Sequence, residues 1–540
     1  MKKLSFSKTK FPIIATLLLS IFGCSPSNKQ EAVKIEPIQV APCIGYVKLP
    51  APVVIGKEVG EWIKLIDPSG AFSAMVPMML GGYGYPNFEE FSDTAPITAF
   101  FIAKDENPES KPITVIAAKL NNQEGPLLTQ LKNTGFSVSN NGEWSIITQK
   151  GTDISLVKNI DHLLTIANET GDYDFSGKVY VQSLQKYKSK ILEEIAKEEL
   201  KNENAFELKK LAEHVLEDIE HLKEVSFGMN LRQANFLLST TLSARKGTAL
   251  GNLFSQEIPL ENKASTFVDA GEDIEMIGRI NPEATLNYFN YLCDRFQPLM
   301  PEENKPIIGQ YRTLYNNYVK YLIGSFAVSG NATTAGAINM NQVVEGTFTQ
   351  ESLEALLDEK LANSTFSIIE EIFAGMKFAI NYEYKVQFSE KEIKGIPINK
   401  MSLNVKMPDN IAVPNQEQTY YIAACEGYYL SSASEQGLTT LIENIQSGGA
   451  KTSLVTVLQP KPGAVFQGKI DFVRYYKNIL MANPMLQKQF SPIFKQLESA
   501  NIPPATFEAH MENATLTSTY KLSLAEIAKT LAPLLMQGMK

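Results

Sequence analysis

The sequence predicts an α+β protein made of two related domains, with antiparallel sheets packed by helices, arising by internal duplication. Three observations carry that expectation. At 540 residues the chain is longer than one hydrophobic core usually holds, so length alone favours more than one domain. Its strand-like runs are interrupted by single helices, without the strict strand-helix alternation of a doubly wound fold. Short echoes also recur in the same order in both halves.

The clearest echo pairs Phe175-Ser176-Gly177-Lys178-Val179 with Phe466-Gln467-Gly468-Lys469-Ile470, each followed by a Tyr-Lys pair and an Ile-Leu step. Downstream, Ser226 through Ser243 aligns without a gap to Thr506 through Ser523, matching Phe227 to Phe507 and Leu242 to Leu522. Upstream, Ala167-Asn168-Glu169-Thr170-Gly171 resembles Ala433-Ser434-Glu435-Gln436-Gly437. The repeated unit is thus a set of strands, a glycine-lysine strand, a helical stretch, a hairpin and a closing helix. Residues 43–262 form the first copy and 263–540 the second.

The elements follow in order. Ser25 to Pro42 is polar and proline-punctuated, as a tether requires, and order is expected to begin near Ile44-Gly45-Tyr46-Val47. Leu208, Leu211, Ala212, Val215, Ile219 and Leu222 recur at helical steps. Phe227, Met229 and Leu231 fall on one face, then Phe236, Leu238 and Thr240 after a turn at Gln233-Ala234-Asn235, which predicts a hairpin. The boundary is placed near Glu261-Asn262-Lys263. Asp273 to Ile277 opens the second copy as a strand, and Asn281-Pro282-Glu283 starts a helix, with proline in the first turn and an acid at the positive end of the dipole. Phe326 to Phe348 reads as extra strands. Ser523 with Glu526 makes a capping-box start for the closing helix. A glycine such as Gly177 or Gly468 before a strand is expected to mark a bend or bulge, and the lysine after it an exposed or edge charge.

Lys2, Lys3, Lys8 and Lys10 precede an apolar run from Phe11 to Phe22 that is too short to span a bilayer, and Ile21-Phe22-Gly23-Cys24 follows. This segment resembles the signal peptide of bacterial lipoproteins. That resemblance implies cleavage after residue 23, acylation of Cys24 (a palmitate-type anchor) and a tether over 24–42. Ser25 resembles the residue found after the cysteine in lipoproteins sorted to the outer membrane, so the expected location is the outer membrane, facing the periplasm. Loss of the four lysines, with no acid, takes the net charge from −9 to −13, which disfavours nucleic acid. Cys43, Cys293 and Cys425 allow at most one disulfide, and the apolar settings of Cys293 and Cys425 suit buried thiols.

No motif supplies a catalytic set. On a helix His214, Asp218 and His221 would share one stripe, a feasible zinc face, but the stripe flanks an apolar face and the second copy has no such histidine pair, so no metal is expected. Ser183-Leu184-Gln185-Lys186 and Ser243-Ala244-Arg245-Lys246 match Ser-x-x-Lys without the companion motifs of penicillin-recognising enzymes. Gly81-Gly82-Tyr83-Gly84-Tyr85-Pro86 reads as an aromatic surface turn. With four histidines in the whole chain, a histidine-dependent triad has few places to form. The expected protein is therefore a non-enzymatic binding or scaffolding lipoprotein without a cofactor, its partner a protein or an apolar small molecule. The alternatives are a carrier or sensor for an apolar ligand and a hydrolase working through unrecognised carboxylates.

Overall fold

A computed structural model describes residues 43–66, 90–103, 110, 112–122, 124–152, 160–168, 173–190, 192–193, 213, 216–231, 235–259, 261–299, 302, 305–332, 338–364, 367, 381–406, 416–481, 484–500 and 502–530. Eight strands come first: β1 (Cys43–Leu49), β2 (Ile97–Ile102), β3 (Ile113–Lys119), β4 (Phe136–Asn141), β5 (Trp144–Gln149), β6 (Phe175–Tyr180), β7 (Leu222–Asn230) and β8 (Phe236–Ala244). Ten follow: β9 (Ile274–Arg279), β10 (Leu322–Ala332), β11 (Ile338–Phe348), β12 (Asn381–Ile393), β13 (Ile396–Lys406), β14 (Gln416–Cys425), β15 (Gly427–Ser432), β16 (Ala464–Ile470), β17 (Ala505–Glu512) and β18 (Thr515–Leu522). The helices used below are α1 (Pro52–Ile66), α2 (Pro126–Asn133), α3 (Ile160–Asn168), α4 (Ala249–Phe254), α5 (Pro282–Phe296), α6 (Lys305–Val319), α7 (Gln350–Leu356), α8 (Glu435–Gln446) and α9 (Phe472–Met481).

All eighteen strands of the described residues belong to one antiparallel sheet. Side by side they run β4-β5-β3-β2-β1-β6-β7-β8-β18-β17-β16-β9-β10-β11-β15-β14-β13-β12. This overturns the expected α+β class of two domains with separate sheets. The overturning contact is β8 against β18, paired from Thr515–Ser243 to Leu522–Phe236. Each hairpin ends on a strand whose outer N–H and C=O groups need partners, and here each supplies the other's.

What repeats is strand order within the one sheet. β4-β5-β3-β2-β1-β6-β7-β8 has the same connectivity as β14-β15-β11-β10-β9-β16-β17-β18. Ser239 pairs with Thr519, positions that are equivalent in the gapless alignment, so a pseudo-two-fold axis normal to the sheet passes between them. The strands over Phe326 to Phe348 are accordingly not extra: they are β10 and β11, counterparts of β2 and β3. The true addition is the β12–β13 hairpin between α7 and β14. The third echo also misaligns, because Ala167 and Asn168 end α3 whereas Ser434 caps the start of α8 through the Gly437 N–H.

Gly177 and Gly468 are flat strand positions with a role other than bending. Gly177 lies opposite Phe227, and a Cβ there would sit 2.6 Å from that ring and 2.9 Å from the Tyr46 carbonyl oxygen. Gly468 lies opposite Phe507, and a Cβ there would sit 2.6 Å from the Glu275 carbonyl oxygen and collide with the Phe507 ring. In both copies a phenylalanine from the next strand covers a glycine.

Both faces of the sheet carry helices. On one face, Leu163 and Ile166 of α3 pack on Phe100, Val115 and Ile146, while Leu438, Leu441, Ile442 and Ile445 of α8 pack on Ile277, Val343 and Leu430. On the other, α2 covers the β3–β5 end, α4 and α5 cover Leu242, Leu516 and Met511 at the junction, and α7 packs Leu353 on Val344 and Ile422. Helix α5 starts where expected: the Asn281 side chain accepts the Ala284 N–H at 3.0 Å, with Pro282 in the first turn. The boundary region is anchored, since Asn262 is buried and donates to the carbonyls of Gly278 and Phe326 at 2.8 and 3.1 Å.

Candidate functional site

On the face that carries α2 and α4, register brings three exposed apolar side chains together. Phe101 on β2 is opposite Gly45 on β1, Gly45 is opposite Val179 on β6, and Val179 is opposite Val225 on β7. One row along, Phe227 is opposite Gly177. Phe101, Val179 and Phe227 are 37%, 38% and 40% exposed. Gly45, without a side chain, lies between Phe101 and Val179, and the Phe227 ring lies over Gly177. In the second half the matching positions are Ile470 for Val179 and Phe507 for Phe227, and both are half-buried. The patch is therefore a property of the first half alone.

The titratable residues that converge elsewhere are committed to one another. Glu275 is fully buried on β9; it accepts the Gly271 N–H at 2.6 Å and pairs with Lys469 Nζ at 2.9 Å. Asp273 pairs with Arg474 Nε at 3.0 Å and accepts from Asn478 Nδ2 at 3.1 Å, which ties α9 to β9. Burial raises the Asp273 carboxyl above its ordinary range, while Arg474 opposes the shift. Buried Arg279 donates to the Ala464 carbonyl at 2.8 and 3.1 Å. The recurring lysines are half-buried and ion-paired on interior strands, Lys178 with Glu224 at 3.2 Å and Lys469 with Glu275.

Where a zinc face was considered, Asp218 accepts the Tyr291 hydroxyl and lies 3.9 Å from Arg295 Nε, and Arg295 also pairs with Glu217. His214 lies outside the described residues. Among the described residues no three His, Cys, Asp or Glu side chains converge on a common point. The His221 ring packs on Tyr291, with centres 5.6 Å apart, and its Nδ1 is sealed without a hydrogen-bond partner. Burial lowers the His221 imidazole below its ordinary value; Arg245 and Arg295 add to the shift, and Asp218 and Glu220 oppose it. The folded state thus holds neutral a group that the unfolded chain protonates, so its stabilisation is present above the unfolded value and is lost as pH falls toward the folded one. Thermal midpoints are expected to drop between about pH 7 and pH 5, and to drop less steeply in His221→Phe. Equal slopes in the two proteins would assign the acid sensitivity to other groups.

Ser243 lies within β8, its hydroxyl 3.3 Å from that of Thr515, so Ser243 and Lys246 do not share a helical turn. Ser183 is buried in the one-turn helix Val181–Leu184 that follows β6. Cys43, Cys293 and Cys425 are free and buried, and burial pushes the Cys43 thiol up to about 11. Cys24 and Gly81 to Pro86 lie outside the described residues. A cavity of about 320 Å³ opens over β12–β14, lined by Glu359, Lys385, Lys400, Ser402, Glu417 and Thr419, polar and of mixed charge. Sequence reasoning missed both the apolar patch and Glu275. The second had a visible signal, an acid inside the strand Ile274-Glu275-Met276-Ile277 on the same side as core Ile277. Comparison with known proteins found no matching family model, no similar curated protein and no similar solved structure.

Proposed function

We propose that the chain is a lipid-tethered, periplasm-facing and non-enzymatic binding or scaffolding module that engages a protein partner through Phe101, Val179 and Phe227. The observation that carries this reading is the clustering of those exposed side chains on one sheet face over two glycines. Exposed apolar side chains gathered in one place mark interaction sites, whereas isolated ones do not. An open sheet face suits a protein surface better than a small apolar ligand, which needs a concave site that buries most of it. The ion pairs at Asp218, Asp273 and Glu275 support a structural role for these carboxylates over a hydrolytic one.

The test has two arms in cells that make the protein. Cys24→Ser should move it from the membrane to the soluble fraction, because the acyl anchor supplies the attachment. A photo-crosslinking residue at position 179 should then give a discrete protein adduct in the tethered form, with none from position 517 on the opposite face. An adduct of lipid mass would instead support the carrier, and adducts of equal yield at both positions would remove the patch as the contact surface.

A further inference from the structure

We propose that the outer edge of β4 is a second, strand-accepting site that takes an extended segment of a partner protein with apolar and polar residues in alternation. The inference goes beyond the reading above and stands apart from it, since it concerns backbone groups at the end of the sheet.

The pseudo-symmetry identifies the site. The β4–β5 hairpin and the β14–β15 hairpin hold the same place, because β5 pairs with β3 as β15 pairs with β11. In the second half the outer edge of β14 is filled: β13 pairs with it from Asn399–Ile422 to Val405–Gln416. The filling strand belongs to the β12–β13 hairpin, which follows α7. In the first half α2 leads through Thr134 and Gly135 directly into β4. Among the described residues, β4 pairs only with β5. Asn141 and Trp144 flank a two-residue turn, so Ser137 and Ser139 bond inward to β5 while the backbone N–H and C=O groups of Phe136 and Val138 point outward.

The two ends of the sheet are also guarded differently. At β12, Asn363 accepts the Tyr384 N–H at 3.0 Å and donates to its carbonyl at 2.9 Å, and Glu359 accepts the Val386 N–H at 2.9 Å. Ser389, at φ 48°, then breaks the line of that edge. β4, Phe-Ser-Val-Ser-Asn-Asn, has no charge and no proline, the usual blocks on an edge strand. The occupant's chemistry follows from β13, where Met401, Leu403 and Val405 alternate with Ser402 and Asn404 and Met401 packs on the Val344–Ile422 cluster. Val138 packs on the corresponding face with Leu127 and Leu128 of α2. A strand added to β4 would continue that apolar surface on one side and present polar residues on the other.

The experiment adds a synthetic peptide copying residues 399–405 to the full-length protein and follows backbone amide hydrogen exchange. Saturable binding with at least tenfold slower exchange at Phe136 and Val138, and none at β12, is expected. A peptide with serine at the Met401, Leu403 and Val405 positions should fail to protect. Val138→Pro removes an outward N–H and no bond to β5, so it should abolish protection at the remaining Phe136 amide, with a modest fall in melting temperature because the Val138 side chain packs on α2. Ser139→Lys, at an exposed side chain, should weaken peptide binding at least tenfold if the proline variant does not fold. Unchanged exchange at saturating peptide overturns the proposal, as does protection of both amides in the free monomer. Self-association that itself protects these amides would replace the partner protein by a second copy of the chain, and so would also overturn it.

Discussion

Lys469→Met is expected to destabilise the protein by about 3–5 kcal/mol, the usual cost of removing one partner from a buried ion pair. The reason lies at Glu275, whose side chain is fully buried on β9, with Lys469 at 2.9 Å as its cation and the Gly271 N–H donating to its other oxygen. Methionine keeps the length of the lysine stem but leaves the carboxylate without its counter-charge. The double variant Lys469→Met, Glu275→Leu should recover most of the loss, since two apolar residues of similar volume can replace a buried pair at little net cost. Denaturant midpoints of the three proteins at neutral pH decide the matter. If the single variant matches the parent, Glu275 does not depend on Lys469.

Gly468→Val should cost about 3 kcal/mol by a different route, overpacking. A side chain at this position meets the Phe507 ring on one side and the Glu275 carbonyl at 2.6 Å on the other, and both are held by strand pairing. Gly177→Val should behave alike, because Phe227 and the Tyr46 carbonyl enclose Gly177 in the same way. Gly309 on α6 has open space around it, so Gly309→Ala should stabilise by roughly 0.5–1 kcal/mol, through helix propensity. Melting curves that rank the three glycine variants otherwise would remove the ring-over-glycine account of the repeat.

Local features were legible where a short stretch of chain determines them. The hairpins β7–β8 and β17–β18 announce themselves by alternation, and α5 by Asn281-Pro282-Glu283. The joining of the halves was not legible, because alternation states which face a residue occupies and says nothing about which strand lies beside it. β8 and β18 both alternate Ser or Thr with larger residues, a pattern equally compatible with two solvated edges. β12 and β13 escaped notice because charges such as Lys385, Glu390 and Lys400 fall where a core strand would be apolar. Yet their turn was signalled by Lys394-Gly395, both in the left-handed region that a two-residue hairpin turn needs. The patch escaped for a geometric reason: Phe101, Val179 and Phe227 belong to three strands, and only register shows that they meet.

The β8–β18 seam also sets the order in which the molecule can be completed. Phe236 and its partner Leu522 are separated by 286 residues of chain, so no local event can close the centre of the sheet. A chain emerging from its amino terminus has β8 in place long before β18 exists, and it carries an open edge with the apolar side chains of Phe236, Leu238 and Leu242 beside it. Contacts of such long sequence separation form slowly, and an unpaired edge of this kind invites pairing with other unfinished chains. That edge stays open until the last hairpin forms, so it is the carboxy-terminal strands that close the centre of the sheet.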